Sequence, residues 1–95
     1  MQKHTIYVPD QFAVSAREWA VLMAGGATLS PGHQGYWRSS DGKLYVDDIT
    51  LVTVFEEGTE ARDRITLMLF NNDEQTVAYE TNGTPFLIAA PRLED

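Results

Sequence analysis

The chain has 95 residues, 43% of them hydrophobic, and seven Lys or Arg against fourteen Asp or Glu, which gives a net charge of −7. This length supports one core, so residues 1–95 are predicted to form a single domain. The absence of cysteine excludes disulfides and thiolate chemistry, and no stretch approaches the ~20 apolar residues of a membrane-spanning helix, so we expect an unprocessed, soluble, cytoplasmic protein.

The negative charge is concentrated in the second half. Residues 1–48 contain four basic and five acidic side chains, whereas residues 49–95 contain three and nine. Phosphate contacts depend on Lys and Arg, so we predict no direct nucleic-acid binding. The acids favour a partner with a basic surface, although they would equally serve solubility alone.

The N-terminal region predicts a strand and then a helix. Residues 5–8 are β-branched or aromatic and are followed by a proline, which is typical of a short strand. Ser15 and Glu18 have the spacing of a capping box at the start of a helix. The pair Gly25 and Gly26 is expected to end that helix.

The middle of the chain predicts a hairpin with one long strand. Residues 34–38 are expected to pair as an irregular strand, and Asp41 with Gly42 forms a turn signal. Residues 43–55 then form the clearest strand of the sequence. Both its faces are apolar in the later part, so we expect it to be covered on both sides, the second side by another copy or by a different protein.

Residues 59–80 allow two interpretations. Thr59 as N-cap, followed by apolar residues at helical spacing, indicates a helix, whereas a strand turning directly into a second strand is the alternative. Asn82 with Gly83 then predicts a hairpin between two short strands. The tail, residues 90–95, is expected to be loose.

The predicted order is strand, helix, strand, strand, helix and strand with a terminal hairpin. This is the βαββαβ order of ferredoxin-like domains, an α+β fold in which two helices cover one face of an antiparallel sheet. The other face of the sheet is left without helices in that architecture.

The sequence also resembles a loose family of short uncharacterised proteins of phages, plasmids and bacteria. These share a Gly-Gly-x-Thr, a later Gly-x-Trp, a short glycine turn, an acid entering a long strand, and a Gln-x-x-Val-like strand near the end. The resemblance implies a ferredoxin-like fold and a mobile-element origin, and it carries over no catalytic residues. The matching residues are Gly25, Gly26, Thr28, Gly35, Trp37, Gly42, Asp47 or Asp48, Gln75 and Val77.

No residue pattern indicates catalysis, a cofactor or a metal. His4 and His33 are the only histidines, and no metal-ligand spacing accompanies them. Asp47 and Asp48 are adjacent in a strand and point to opposite faces, so they do not form a catalytic carboxylate pair. We therefore predict that the chain is not an enzyme and needs no cofactor.

Aromatic and acidic residues are the candidates for binding a partner. Tyr, Trp and Arg dominate interface hot spots, and all three occur at residues 36–38. Trp37 itself is expected to fill the core beside Trp19, with Tyr36 on the other face. The predicted partner-binding residues are His33, Tyr36, Arg38, Tyr45, Glu56, Glu57, Glu60, Asp63, Asp73 and Glu74.

Three functions remain open from the sequence. The leading hypothesis is a non-enzymatic protein that binds another protein, such as a mobile-element inhibitor of a host defence system that covers a basic, nucleic-acid-binding surface as anti-CRISPR proteins do. The second is a homodimeric ferredoxin-like barrel, enzymatic or not, with a small-molecule pocket between sheet and helices. The third is a structural assembly subunit. The pocket of the second hypothesis would be lined by Trp19, His33, Trp37 and Tyr45.

Overall fold

The computed structural model describes residues 1–91, so most of the tail that was predicted to be loose lies outside the described residues. The strands and helices follow one another in the predicted order. The elements are β1 (Gln2–Pro9), a short 3₁₀ turn (Asp10–Phe12), α1 (Ala13–Ala24), β2 (Thr28–Arg38), β3 (Leu44–Glu56), α2 (Glu60–Asn71), β4 (Thr76–Thr81) and β5 (Thr84–Ala89).

The five strands form one sheet in the order β2-β3-β1-β4-β5, and each neighbouring pair is antiparallel. Both helices pack on the same face of this sheet and against each other. The prediction of an α+β, ferredoxin-like fold is therefore confirmed. The C-terminal hairpin adds β5 as an edge strand beside β4.

The core lies between the two helices and the centre of the sheet. Alternate residues of the central strands point into it, as the two-residue period of a strand requires. Each large aliphatic side chain that is fully buried contributes about 1.5–3 kcal/mol to folding. The buried core residues are Ile6, Val8, Ala16, Ala20, Val52, Val54, Ala61, Ile65, Leu69, Val77 and Tyr79.

The ambiguous segment after β3 forms a helix, so the hairpin alternative is wrong. Ala61, Ile65 and Leu69 are all buried, and their spacing of four places them on one helix face. The carboxylate of Glu56 accepts hydrogen bonds from the backbone N–H groups of Ala61 at 2.9 Å and Arg62 at 3.1 Å. These two bonds satisfy backbone donors that a helix start leaves unpaired.

The predicted capping box of α1 is wrong. The helix begins at Ala13 with Phe12 as the N-cap, and no side chain caps it. Ser15 and Glu18 lie inside the helix and are exposed. The earlier start has a structural cause, because the 3₁₀ turn leads directly into the helix and Asp10 in that turn accepts a 2.7 Å hydrogen bond from the Thr50 hydroxyl.

The end of α1 agrees with the prediction. Gly25 adopts φ +84° and its N–H donates to the Val21 carbonyl at 3.0 Å. This left-handed conformation is the one that glycine adopts without steric cost. The two predicted hairpin turns are also confirmed: β2 joins β3 through residues 39–43, and Asn82 with Gly83 joins β4 to β5.

Strand β2 is longer than predicted. It begins at Thr28 and crosses a bulge between Ser30 and His33, where its register against β3 shifts. Pro31 and Gly32 lie inside that bulge, and the edge strand continues through them.

Candidate binding surface and cleft

The far end of the β2–β3 hairpin extends past the helices. We call residues 34–48 the hairpin arm. On the side of the arm that continues the helix-covered face, Tyr36 is 63% exposed, Leu44 59% and Val46 50%. On the same side further along β3, Val52 and Val54 are completely buried. The arm therefore presents apolar side chains that no other part of the described chain covers.

The opposite face of the sheet is not covered by helices. The register places the odd-numbered residues of β1 and β3 on this side, together with their partners on the other strands. We call this side the open face. It carries few charges for a chain of net charge −7. Its larger or charged members are Lys3, Tyr7, His33, Trp37, Tyr45, Asp47, Ile49, Leu51, Phe55, Glu80 and Leu87.

The two apolar faces predicted for the long strand are thus present, but only one is covered within the chain. Tyr45 and Phe55 on the open face are about half exposed, and Leu51 is partly exposed. Ile49 is the exception, since it is almost fully buried on this side, with its side chain beside Gly35.

A cleft lies where the hairpin arm, the open face and the loop between α2 and β4 meet. It encloses about 720 Å³, and its walls include three aromatic and three acidic side chains. A smaller hollow of about 310 Å³ adjoins it and shares Tyr7 and Trp37. The aromatic and acidic residues of the main cleft are Tyr7, Trp37, Tyr45, Asp47, Asp73 and Glu74.

The position of Trp37 in this cleft is fixed by two contacts. Its indole N–H donates a 2.7 Å hydrogen bond to the Asp47 carboxylate on the neighbouring strand. The ring also lies beside Gly35, where an added Cβ would come 3.4 Å from the ring and 3.3 Å from the Ile49 side chain. The lack of a side chain at residue 35 therefore leaves room for the indole against the sheet.

The electrostatics of the cleft are negative. Partial burial raises the pKa of Glu74, and the negative charge of Asp47 raises it further. At the floor, partial burial raises the pKa of the Tyr7 hydroxyl, and the charge of Glu80 and a hydrogen bond to it add to that effect. The carboxylates of this region therefore repel one another, and a positive charge among them would be stabilised.

The predicted partner-binding residues of the hairpin do not share one surface. His33 and Tyr45 lie on the open face, whereas Tyr36 and Arg38 lie on the other side of the arm. His33 is exposed, as predicted, and its Nε2 lies 3.0 Å from the Ser30 hydroxyl.

The predicted acidic residues are also divided. Glu57, Glu60 and Asp63 lie at the N-terminal end of α2, whereas Asp73 and Glu74 follow its C-terminal end and line the cleft. A helix of 12 residues separates the two groups by about 18 Å. A single continuous acidic surface is therefore not formed.

Glu56, one of the predicted partner-binding residues, is buried. It is 7% exposed and binds the first backbone N–H groups of α2. Its carboxylate is used to hold the helix start and is not presented to a partner.

The tryptophans differ from the prediction as well. Trp37 lies on the open face and does not fill the core, and Trp19 lies in α1 on the helix side, where the Arg64 guanidinium stacks 4.0 Å from its ring centre. The pocket that was expected between the sheet and the helices is therefore not lined as predicted. Trp37 and Tyr45 do meet in a cavity, but it is on the open face.

Tyr7 was not among the predicted site residues, and Asp47 and Glu74 were not predicted to share one site. A signal for Tyr7 was available, since it alternates with the buried Ile6 and Val8 and must point to the opposite face. The proximity of Asp47 to Glu74 has no local signal, because it depends on the tertiary fold, which brings β3 and the α2–β4 loop to the walls of one cleft.

Within residues 1–91, no group of three or more His, Cys, Asp or Glu side chains is arranged to hold a metal ion. In the same range, neither helix has the length and apolar composition that crossing a membrane requires.

Comparison with models of protein families gives no match, and comparison with curated proteins gives none either. The resemblance to phage and plasmid proteins therefore stays a prediction. Among solved structures, the fold is similar to that of a divalent cation tolerance protein (Cut A1) from Thermus thermophilus, with a TM-score of 0.57 and 20% sequence identity. The match covers 100% of this chain and 87% of that chain. At this identity the likeness concerns the fold alone, and it agrees with the ferredoxin-like architecture derived above.

Proposed function

We propose that this chain is a non-enzymatic binding protein that engages a protein partner through the hairpin arm and the adjoining open face. The observation that carries this proposal is the arm itself, which exposes Tyr36, Leu44 and Val46 on one side and Trp37 and Tyr45 on the other.

A hairpin arm that packs against nothing contributes little to the stability of the fold. A two-stranded hairpin without a packed face is at best marginally stable in water. Contiguous exposed apolar residues on a soluble protein mark surfaces that bind a partner. Tyr and Trp are also the residue types that contribute most to protein interfaces.

The charge of the chain supports a basic partner surface. The net charge of −7 would accelerate association with a positively charged protein and suppress binding to nucleic acid. The acids of the cleft are Asp47, Asp73 and Glu74, and these would contact such a partner directly. The finer form of the proposal is occlusion of a nucleic-acid-binding surface by an anti-CRISPR-like inhibitor, and its mobile-element part rests on the sequence resemblance.

The test uses one variant on the arm and one matched control. Val46→Lys places a charge on the exposed side of the arm, whereas Leu22→Lys makes the same kind of change on the exposed side of α1. Both variants should fold, which circular dichroism checks. Each protein is immobilised, and proteins captured from a bacterial lysate are identified by mass spectrometry.

We expect the wild type and Leu22→Lys to retain the same protein and Val46→Lys to lose it. Retention of the same proteins by Val46→Lys would contradict the proposal. A salt series distinguishes the contribution of charge, since binding that depends on the cleft acids weakens as salt is raised.

A second candidate is assembly of copies of this chain through the same surfaces, as a homodimer or a larger structural assembly. The low charge of the open face favours it, because two strongly acidic chains meeting there would keep most of their charges apart. Light scattering over a range of concentrations tests it. A wild-type oligomer that Val46→Lys converts to a monomer would support self-assembly, and a monomer at all concentrations would exclude it.

The name of the structural neighbour raises divalent-cation binding as another function. At 20% identity that name is not transferred to this chain, and the described residues contain no three-ligand metal cluster that would favour it. We therefore do not include it in the proposal.

A further inference from the structure

The cleft at the hairpin arm combines three properties, its volume, its aromatic rings and its carboxylates, that together favour one class of ligand. Its volume of about 720 Å³ is in the range of pockets that take small ligands or inserted side chains. Its walls carry the aromatic rings of Tyr7, Trp37 and Tyr45 together with the carboxylates of Asp47 and Glu74. Aromatic faces and carboxylates together attract an organic cation.

Among the described residues, no basic side chain forms an ion pair with the Asp47 or Glu74 carboxylate of the cleft. Asp47 accepts the indole N–H of Trp37, which is a neutral donor, so this hydrogen bond brings no positive charge to the carboxylate. Arg38 is the one basic residue among the described wall residues, and its guanidinium donates to the Gly42 carbonyl in the turn at 3.3 Å. No ion pair joins it to Asp47 or Glu74 among the described residues.

The planar guanidinium fits this site better than an ammonium group does. It stacks on an aromatic ring through its face and donates two parallel hydrogen bonds to a carboxylate through its edge. Trp37 and Asp47, joined by their own hydrogen bond, place a ring and a carboxylate side by side in this way.

We propose that the cleft binds a guanidinium group, and that its occupant is an arginine side chain of the protein partner. This inference rests on the proposed function, which supplies the partner, and it names the chemical group that the partner inserts between the hairpin arm and the α2–β4 loop. The arginine stacks on Trp37 and pairs with Asp47 and Glu74.

The experiment uses the isolated chain, so it does not depend on identifying the partner. n-Butylguanidinium represents the arginine side chain, n-butylammonium represents lysine, and n-butylurea is the neutral molecule of nearly the same shape. Titrations are followed by ¹H–¹⁵N NMR. The chain contains two tryptophans, so the two indole N–H signals report on the cleft through Trp37 and on the helix side through Trp19.

We expect n-butylguanidinium to shift the Trp37 signal in a saturable way, with a dissociation constant on the order of millimolar for a ligand of this size. The Trp19 signal should stay in place. n-Butylammonium should bind about three-fold or more weakly, and n-butylurea should give no saturable shift.

Three variants locate the charge that is responsible. Asp47→Asn keeps an oxygen that can accept the Trp37 indole hydrogen bond, and Glu74→Gln keeps the shape of its side chain. Each should weaken n-butylguanidinium binding about five-fold or more. Glu57→Gln removes the same charge from an exposed residue near the N-terminus, outside the cleft, and should leave binding within about two-fold.

Equal shifts with n-butylurea, or equal losses in Asp47→Asn and Glu57→Gln, would overturn the inference. If Asp47→Asn fails to fold, the comparison of Glu74→Gln with Glu57→Gln decides whether the cleft carboxylates bind n-butylguanidinium. The inference and the proposed function can fail separately. Loss of capture in Val46→Lys without any n-butylguanidinium binding would reject only the arginine site. Binding of n-butylguanidinium together with unchanged capture by Val46→Lys would reject the hairpin arm as the partner surface.

Discussion

The imidazole of His4 and the carbonyl of Gly58 are joined by a 2.9 Å hydrogen bond in the interior of the protein. Because the carbonyl only accepts, the Nε2 atom donates this bond, and Nδ1 lies 2.8 Å from the Thr81 hydroxyl oxygen. The Thr81 oxygen in turn accepts a hydrogen bond from Arg62 at 3.2 Å. His4 is fully buried, so this chain of bonds fastens β1 to β4 and to the loop before α2 and gives the histidine a structural role.

Replacing His4 with alanine should therefore destabilise the protein by about 3 kcal/mol. The change leaves a cavity and removes hydrogen-bond partners from the partly buried Thr81 hydroxyl and Gly58 carbonyl. The free energy of unfolding in urea measures it. Lys3→Ala is the matched control, because residue 3 is on the same strand but exposed, and its effect should stay within about 0.5 kcal/mol. Similar losses in both variants would contradict the structural role.

Glu56→Ala should destabilise the chain by about 1–2 kcal/mol, because it removes the side-chain acceptor for the first N–H groups of α2. Glu56→Gln should cost less, since one oxygen remains to accept. Glu57→Ala, which removes an 84% exposed side chain next to it, should have almost no effect on unfolding. An unchanged stability in Glu56→Ala would show that these hydrogen bonds do not contribute to folding.

Glu74 gives a pH prediction with a defined sign. Burial and the charge of Asp47 raise its pKa above the ordinary value of 4.5, so the folded state binds this proton more tightly than the unfolded state. The Glu74 contribution to stability is therefore present at acid pH and is lost as the pH rises from about 4.5 through the raised pKa. Glu74→Gln should be more stable than the wild type near pH 7, and this advantage should disappear below pH 4.

Urea midpoints measured between pH 4 and pH 7 check this prediction. The variant Glu57→Gln removes the same charge outside the cleft and controls for the effect of net charge. A Glu74→Gln advantage that grows towards acid pH, or one that Glu57→Gln reproduces in full, would show that the assigned repulsion in the cleft is wrong.

The parts of the fold that follow from short-range patterns could be predicted from the sequence. Turn chemistry at Asp41-Gly42 and Asn82-Gly83 located both hairpins, and strand alternation showed that the strand of residues 43–55 is apolar on both faces past Asp48. The start of α1 could not be predicted in this way, because a serine and a glutamate at capping-box spacing can equally lie within a helix. There the 3₁₀ turn anchored by Asp10 to Thr50 sets the first residue.

The cleft depended on contacts between distant residues, and for that reason the sequence did not reveal it. Which face of β2 and β3 the helices cover decides whether Trp37 enters the core or the open face, and no local pattern contains that information. The role of Glu56 has the same origin. Its carboxylate reaches the start of α2 only because β3 ends beside that helix and a short loop turns the chain back.

The two glycines after α1 provide a test of backbone conformation. Gly25 has φ +84°, whereas Gly26 does not lie in the left-handed region, and neither has any atom within 4 Å of an added Cβ. Gly25→Ala should therefore cost about 1 kcal/mol through backbone strain alone, since alanine is disfavoured in this conformation. Gly26→Ala has neither strain nor a clash and should be neutral or slightly stabilising, because it reduces the entropy of the unfolded chain. Thermal unfolding of both variants measures the difference, and equal effects would show that the helix does not need the left-handed residue at position 25 to end where it does.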